Sequence, residues 1–407
     1  MSIDLLKGHG TPLERQTFNW RDMVKNQISK LNDDAFTRVR VILMNGIEAE
    51  QNRFLHTLAR LSPGLQIPAA RVRRVDQFQQ TTVNWLLSAD HLPLETTIAF
   101  EQVAIEITAA LAQQEPNEYL AQAYRFGLLE DFDHMYRFAA LMDRVEGKDA
   151  NNILQSYTDI LPGRPTALEH RAPEDDVRRP YDRTKADIIT KLNALTLVAA
   201  ENQTHDYYMT IGPMFADPIA RMLYAEIAAI EEQHVTHYES LIDASEPLME
   251  KWLLKEACEV YNYHSCVAAE TNPRIKAIWE QFLDYELGQL SMVCELFKGL
   301  SGRDPAEVLP ASLPDPIPYV SQRDFVRHVL RNEVDLRCDG TEFVPKEKES
   351  EKSIAFRQRL NEGGNASEII AGGFVYTPGT ELARMPAPMP AAATSKQSPT
   401  FEQGARP

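Results

Sequence analysis

The chain has 407 residues, 43% hydrophobic and 25% charged, which suffices for two or three ordinary domains or one large helical body. Its 59 Asp plus Glu against 42 Lys plus Arg give a formal net charge of -17. That balance repels phosphate backbones and anionic headgroups, so no nucleic-acid partner and no membrane partner is expected.

An N-terminal arm (residues 1–33) leads into a helical body over 34–300, read as four hairpins, each two long periodic stretches joined by a Pro/Gly break. The first spans about residues 34–87 and breaks at Ser62-Pro63-Gly64. The second spans about 94–143 and turns at Glu115-Pro116-Asn117. A crossover rich in Pro and Gly, 144–183, is long enough to travel the length of the body. The third hairpin, about 184–242, breaks between Gly212-Pro213 and Asp217-Pro218, and the fourth, about 246–300, turns at Thr271-Asn272-Pro273. Pro at these breaks suits the first turn of the next helix, where a missing amide donor costs little. A C-terminal strap covers 301–375, with a short helix at 323–332 and a strand near 334–344. From 376 to 407 the composition is that of a disordered tail. No apolar run approaches the ~18 residues of a membrane helix, and the first residues lack a leader pattern. Cys258, Cys266, Cys294 and Cys338 form no CxxC pair and read as reduced thiols in a cytoplasmic protein.

Two of the hairpins carry the same polar pattern. The second holds Glu101, Asp131 and His134; the third holds Glu201, Glu231 and His234. In each, the second carboxylate follows the first by 30 residues and the histidine follows by 33. The midpoints fall at 116 and 216, inside the two turns, so the partners stand at one height, ~22 Å from the turn. All six lie on apolar faces: Asp131 within Tyr124, Leu128, Met135, Phe138 and Leu141, and Glu231 within Leu223, Ile227 and Tyr238. Glu130, Asp133 and Arg137 fall on the opposite, wetter face. Buried carboxylates need partners or a metal, and a pair of divalent cations would neutralise these four.

One carboxylate on each of two helices, plus carboxylate-x-x-His on each of two others, resembles the ferritin-like di-iron carboxylate superfamily. The likeness covers about 94–242, and Glu231-Glu232-Gln233-His234 is most similar to rubrerythrin-type members. It implies an all-α fold, a ferritin-like four-helix bundle with a long crossover, extended by two further hairpins to an eight-helix body. It implies two iron ions, or manganese, or a mixed pair. Glu101 and Glu201 would be the single carboxylates, and Asp131 with His134, and Glu231 with His234, would complete each metal's set. Two departures stand out: Asp131 where Glu is usual, and no rubredoxin-type CxxC pairs. A peroxide- or dioxygen-consuming oxidoreductase follows, with or without an organic substrate, served by an external electron donor and expected to form a homo-oligomer, a dimer by preference. The alternatives are a ferroxidase or iron-handling protein, and a non-catalytic helical scaffold.

Around these six, His205 reads as a core histidine bonded to Glu201, with an extra ligand as the sharper reading. Tyr124 and Tyr208, two turns from a ligand position, are candidates for an electron or proton relay. The outer hairpins keep a degraded pattern: Glu256 and Glu286 are 30 apart with Gln at 289, and Glu50 and Gln80 are 30 apart with Val at 83. Four copies of one ancestral hairpin would explain this, and buried carboxylates held by hydrogen bonds are favoured there over a second metal site.

Overall fold

The computed structural model describes residues 3–7 and 10–381, and the fold is all-α. Its body consists of long helices α1 (Ala35–Leu61), α2 (Gln66–Asn84), α3 (Pro93–Gln114), α4 (Glu118–Glu146), α5 (Ile188–Ile211), α6 (Pro218–Glu239), α7 (Leu248–Ala269) and α8 (Pro273–Ser301). Pro93, Pro218 and Pro273 each stand at a first helical position. Asp34, Asn117, Asp217 and Asn272 cap their helices by accepting one or two of the orphan amides of the first turn. Gly147 and Gly302 end α4 and α8 at φ +64 and +67, in the left-handed region that glycine enters without strain.

Helices pair in sequence, α1 with α2, α3 with α4, α5 with α6 and α7 with α8, as the four-hairpin reading requires. The inner hairpins meet through α3–α5 and α4–α6, and the outer ones join through α1–α7 and pack on α5. Gly46 in α1 sits where an added Cβ would lie 2.9 Å from the Ala199 carbonyl of α5, so close helix approach explains a glycine inside that helix. No helix among the described residues is long and apolar enough to cross a membrane, and all four cysteines are free and buried.

The crossover is pressed into the body. Gly163 lies so near α4 that a Cβ would stand 2.3 Å from the Leu129 carbonyl, and the Arg164 amide donates to that same oxygen at 2.9 Å. Asp133 accepts from the amides of Gly163 and Thr166 and from the Thr166 hydroxyl. Beyond the body come α9 (Arg323–Glu333), the antiparallel pair β1 (Leu336–Asp339) and β2 (Glu342–Pro345), α10 (Glu351–Leu360) and α11 (Ala366–Ala371). This strap closes the outer face of α4: Glu333 binds Arg125 at 2.9 Å, and the Ser367 carbonyl takes a bond from Arg137.

That covering corrects one expectation. Glu130 and Asp133 are fully buried and Arg137 is 5% exposed, because crossover and strap dry the face that α4 would otherwise show to water. The expected tail also starts too early. The Gly379 amide donates to Asp149, and Glu381 accepts from the Asp149 amide and from Asn152, so 376–381 are held against the crossover's first turn. The remainder of the expected tail, 382–407, lies outside the described residues.

Candidate metal centre

The six residues singled out by spacing meet at one depth in the inner bundle, each 0–1% exposed. Glu101 comes from α3, Asp131 and His134 from α4, Glu201 from α5, and Glu231 and His234 from α6. They form two overlapping groups whose donor atoms lie within 4.8 Å of one another: Asp131, Glu201, Glu231 and His234 in one, Glu101, His134 and Glu231 in the other. Glu231 belongs to both. Its Oε1 lies 3.0 Å from His134 Nδ1 and its Oε2 3.2 Å from His234 Nδ1. Asp131, one carbon shorter than Glu, stands 3.2 Å from His234 Nδ1, so it groups across the bundle with His234 rather than with His134 of its own helix. The expected pairing of Asp131 with His134 is corrected accordingly.

Each imidazole is held from behind. His134 Nε2 lies 2.8 Å from Glu169, and His234 Nε2 lies 2.8 Å from Glu130, with both carboxylates fully buried. The paired bonds turn each Nδ1 toward the centre. Glu130 is anchored by Arg171 at 2.6 Å and Arg164 at 3.2 Å, two crossover residues. These partners were missed at the level of spacing. Glu130 reads as the outward neighbour of Asp131, and Glu169 sits on a connection with no period to place it.

Burial acts against the charge on His134, but Glu169 and Glu231 outweigh it and hold the imidazole well above its ordinary range. His234 is likewise held well above its range, against burial, by Asp131, Glu130 and Glu201. Burial pushes Glu101 and Glu201 well above the usual carboxylate range and lifts Glu169 to about 8. Glu231 is driven below that range, against burial, by its bonds from the two histidines. Glu130 is driven below it as well, against burial, chiefly by Arg171. Both oxygens of Asp131 and Glu201, and Oε2 of Glu101, receive no well-aligned hydrogen bond. Orphan oxygens and inward imidazole nitrogens are the donor set that a metal pair would use, so the residues fit such ions.

Of the two candidate tyrosines, Tyr208 donates its hydroxyl to Glu101 Oε1 at 2.5 Å, whereas the Tyr124 hydroxyl has no partner among the described residues and its ring lies 6.0 Å from that of Tyr238. His205 does not bind Glu201. It is partly exposed, with Nδ1 3.4 Å from Asp206, because the outer side of α5 at that height faces solvent. Searches against protein-family models, curated proteins and solved structures each found no match for this chain.

Proposed function

We propose that the chain is a non-haem di-metal oxidoreductase, with iron, manganese or one of each held by Glu101, Asp131, His134, Glu201, Glu231 and His234. The observation that carries this reading is the symmetric pair of imidazoles, each with Nδ1 toward a shared Glu231 and Nε2 fixed by its own buried carboxylate. Histidines that bind metals characteristically give their second ring nitrogen to a carboxylate, which fixes the tautomer and raises ligand basicity. The resemblance to the ferritin-like di-iron carboxylate superfamily, and to its rubrerythrin-type members, agrees with this donor set.

Such a pair, when bound, supplies two electrons in one event to peroxide or dioxygen. The protein's own contribution is positioning and exclusion. Glu231, common to both donor groups, would be shared by the ions, and Glu101 and Glu201 would help to hold one each. Tyr208 holds a proton 2.5 Å from Glu101 and can pass it into the centre. The apolar walls, including Phe138 against the Tyr208 ring at 5.2 Å, keep bulk water away. With ligands no more than 1% exposed, the site suits a diatomic or peroxide oxidant better than a bulky organic molecule.

Elemental analysis with an absorption spectrum taken after peroxide addition tests the proposal. Stoichiometric iron or manganese and a peroxide-dependent spectral change are expected in the parent, and both should vanish in the His134→Ala/His234→Ala variant while helicity persists. Undiminished peroxide and dioxygen reactivity in that variant would overturn the reading.

A further inference from the structure

The outer hairpins hold a second buried polar cluster of different chemistry. α1 carries Glu48, α2 Asp76 and Gln79, α7 Glu256 and Glu259, and α8 Glu286 and Gln289. The five carboxylates are 0–1% exposed. Oxygens of Glu48, Glu259 and Glu286 lie within 4.8 Å of one another.

Every group that donates to them is neutral. Gln79 Nε2 donates to Glu286 at 2.6 Å and Glu48 at 3.2 Å, and Gln289 Nε2 donates to Glu286 at 3.0 Å. The Tyr263 hydroxyl donates to Glu48, while Gln51 and the Trp252 indole donate to Glu256, each at 2.7 Å. Among the described residues no Lys, Arg or His pairs with any of the five; the charged groups that act on them are one another. Among the described residues, both oxygens of Glu259 and Oε2 of Glu48, Glu256 and Glu286 have no hydrogen-bond partner, and Asp76 has no more than a poorly aligned contact with Gln289.

Orphaned carboxylate oxygens in an apolar interior are costly, and five facing each other repel. Oxygens bound to one hard cation at ~2.4 Å are separated by at most ~4.8 Å, and those of the three central residues all lie within that limit. A cleft of about 10 Å³, walled by Leu195, Ala199 and Cys258 as well as Gln51, lies against Glu259. Where the inner centre has carboxylate-x-x-His, α8 has Glu286-x-x-Gln289 and α2 has Asp76-x-x-Gln79, so nitrogen ligands give way to amides. An oxygen-only set favours Ca2+ or Mn2+ over zinc or copper.

We propose that Glu48, Glu259 and Glu286, flanked by Asp76 and Glu256, bind a hard divalent cation of the Ca2+/Mn2+ class, at a site independent of the histidine-bearing centre. The cation clamps α1, α7 and α8 together, and the proposal stands whether or not the inner centre is redox-active.

Terbium, an oxygen-preferring stand-in for Ca2+, tests this on the full chain stripped by chelator. Trp252, bonded to Glu256, is placed to sensitise its emission. Sensitised emission is expected in the parent, displaced by Ca2+, several-fold weaker in Trp252→Phe, lost in Glu259→Gln/Glu286→Gln, and retained in His134→Ala/His234→Ala. Ca2+ should also raise the melting temperature of the histidine double variant, which separates this outcome from any failure of the inner centre. Absence of emission from the parent would overturn the site, as would emission indifferent to the glutamate substitutions or loss of emission in the histidine variant. Should the glutamate variant not fold, the parent, Trp252→Phe and histidine-variant comparisons decide alone.

Discussion

Replacing Glu169 with Gln isolates what the crossover contributes to the inner centre. In the parent, the Glu169 carboxylate meets His134 Nε2 at 2.8 Å with both residues fully buried, so water and salt screen little of its charge. The carboxamide keeps size and a carbonyl acceptor but removes the charge. The main chain should hold, because Gln233 binds the Glu169 carbonyl rather than its side chain. Two consequences follow, with opposite pH dependence. On the proposed metal binding, His134 would become a less basic ligand, and loss of such a partner typically weakens metal binding ~10–100-fold, or ~1.4–2.8 kcal/mol. His134 also holds its own proton less tightly, since Glu169 is the largest influence raising it against burial. Proton competition is therefore eased at low pH. Chelator competition with Mn2+ should show the full deficit at about pH 8.5 and a smaller one at about pH 6. Equal affinity of variant and parent at the higher pH, or a deficit that grows as pH falls, would refute the role assigned to Glu169.

Arg171→Ala should cost about 1.5–3 kcal/mol in denaturant unfolding, because Glu130 loses its 2.6 Å cation and Asp176 its ion pair, while Arg164 and His234 still hold Glu130. Gly127→Ala would place a Cβ 2.2 Å from the Tyr238 hydroxyl, so a loss of about 1–3 kcal/mol is expected, part of it recovered in Gly127→Ala/Tyr238→Phe. Tyr238→Phe alone should be neutral or stabilising, since that buried hydroxyl has no partner among the described residues, and a loss above about 1 kcal/mol would contradict it. In metal-free protein, Glu101, Glu201, Glu48, Asp76, Glu256 and Glu259 sit above the usual carboxylate range, chiefly through burial. The native chain then holds more protons than the unfolded one at pH values above their unfolded values, so stability falls as pH rises. The raised His134 and His234 act in the same direction, their contribution being full below ~6.5 and lost as pH climbs through their folded values. Melting temperature after chelation should thus decline from about pH 5 to about pH 8; a flat or rising curve would count against the burial of uncompensated acids.

The inner six residues were legible because two periodicities agree. Helical rise fixes height from the turn, and the apolar stripe fixes direction, so spacing alone brought the six to one depth. What failed was whatever depends on a second layer. The outward side of α4 looks wet by composition, and only the crossover and strap make it dry, burying Glu130 and Asp133. The first hairpin shows a different error. A 30-residue spacing selects Glu50 and Gln80, but the facing acids are Glu48 and Asp76, whose midpoint is Ser62 at the end of α1. Glu50 instead lies half-buried beside Lys255 at 2.8 Å. The facing acids there are 28 residues apart rather than 30, and no periodicity within either helix records how the two helices are set against each other across the turn.

The same layer explains why histidine appears in one bundle and glutamine in the other. A metal-facing imidazole leaves its second nitrogen pointing away from the centre, where a dry interior must supply a partner. The inner hairpins have one: the crossover brings Glu169 behind His134, and through Arg164 and Arg171 it keeps Glu130 charged behind His234. α2 and α7 are separated in sequence by the entire inner bundle, so no such connection runs between the outer hairpins. There the x-x-Gln residues close on each other, Gln289 Nε2 reaching Gln79 Oε1 at 3.3 Å as well as Glu286. A primary amide satisfies its donors among the carboxylates it faces and needs nothing behind it. The divergence of the two pairs therefore follows from the presence of the crossover in one and its absence in the other. His in place of Gln79 should consequently destabilise the outer bundle, while Gln in place of His134 should leave the buried Glu169 without its imidazole partner.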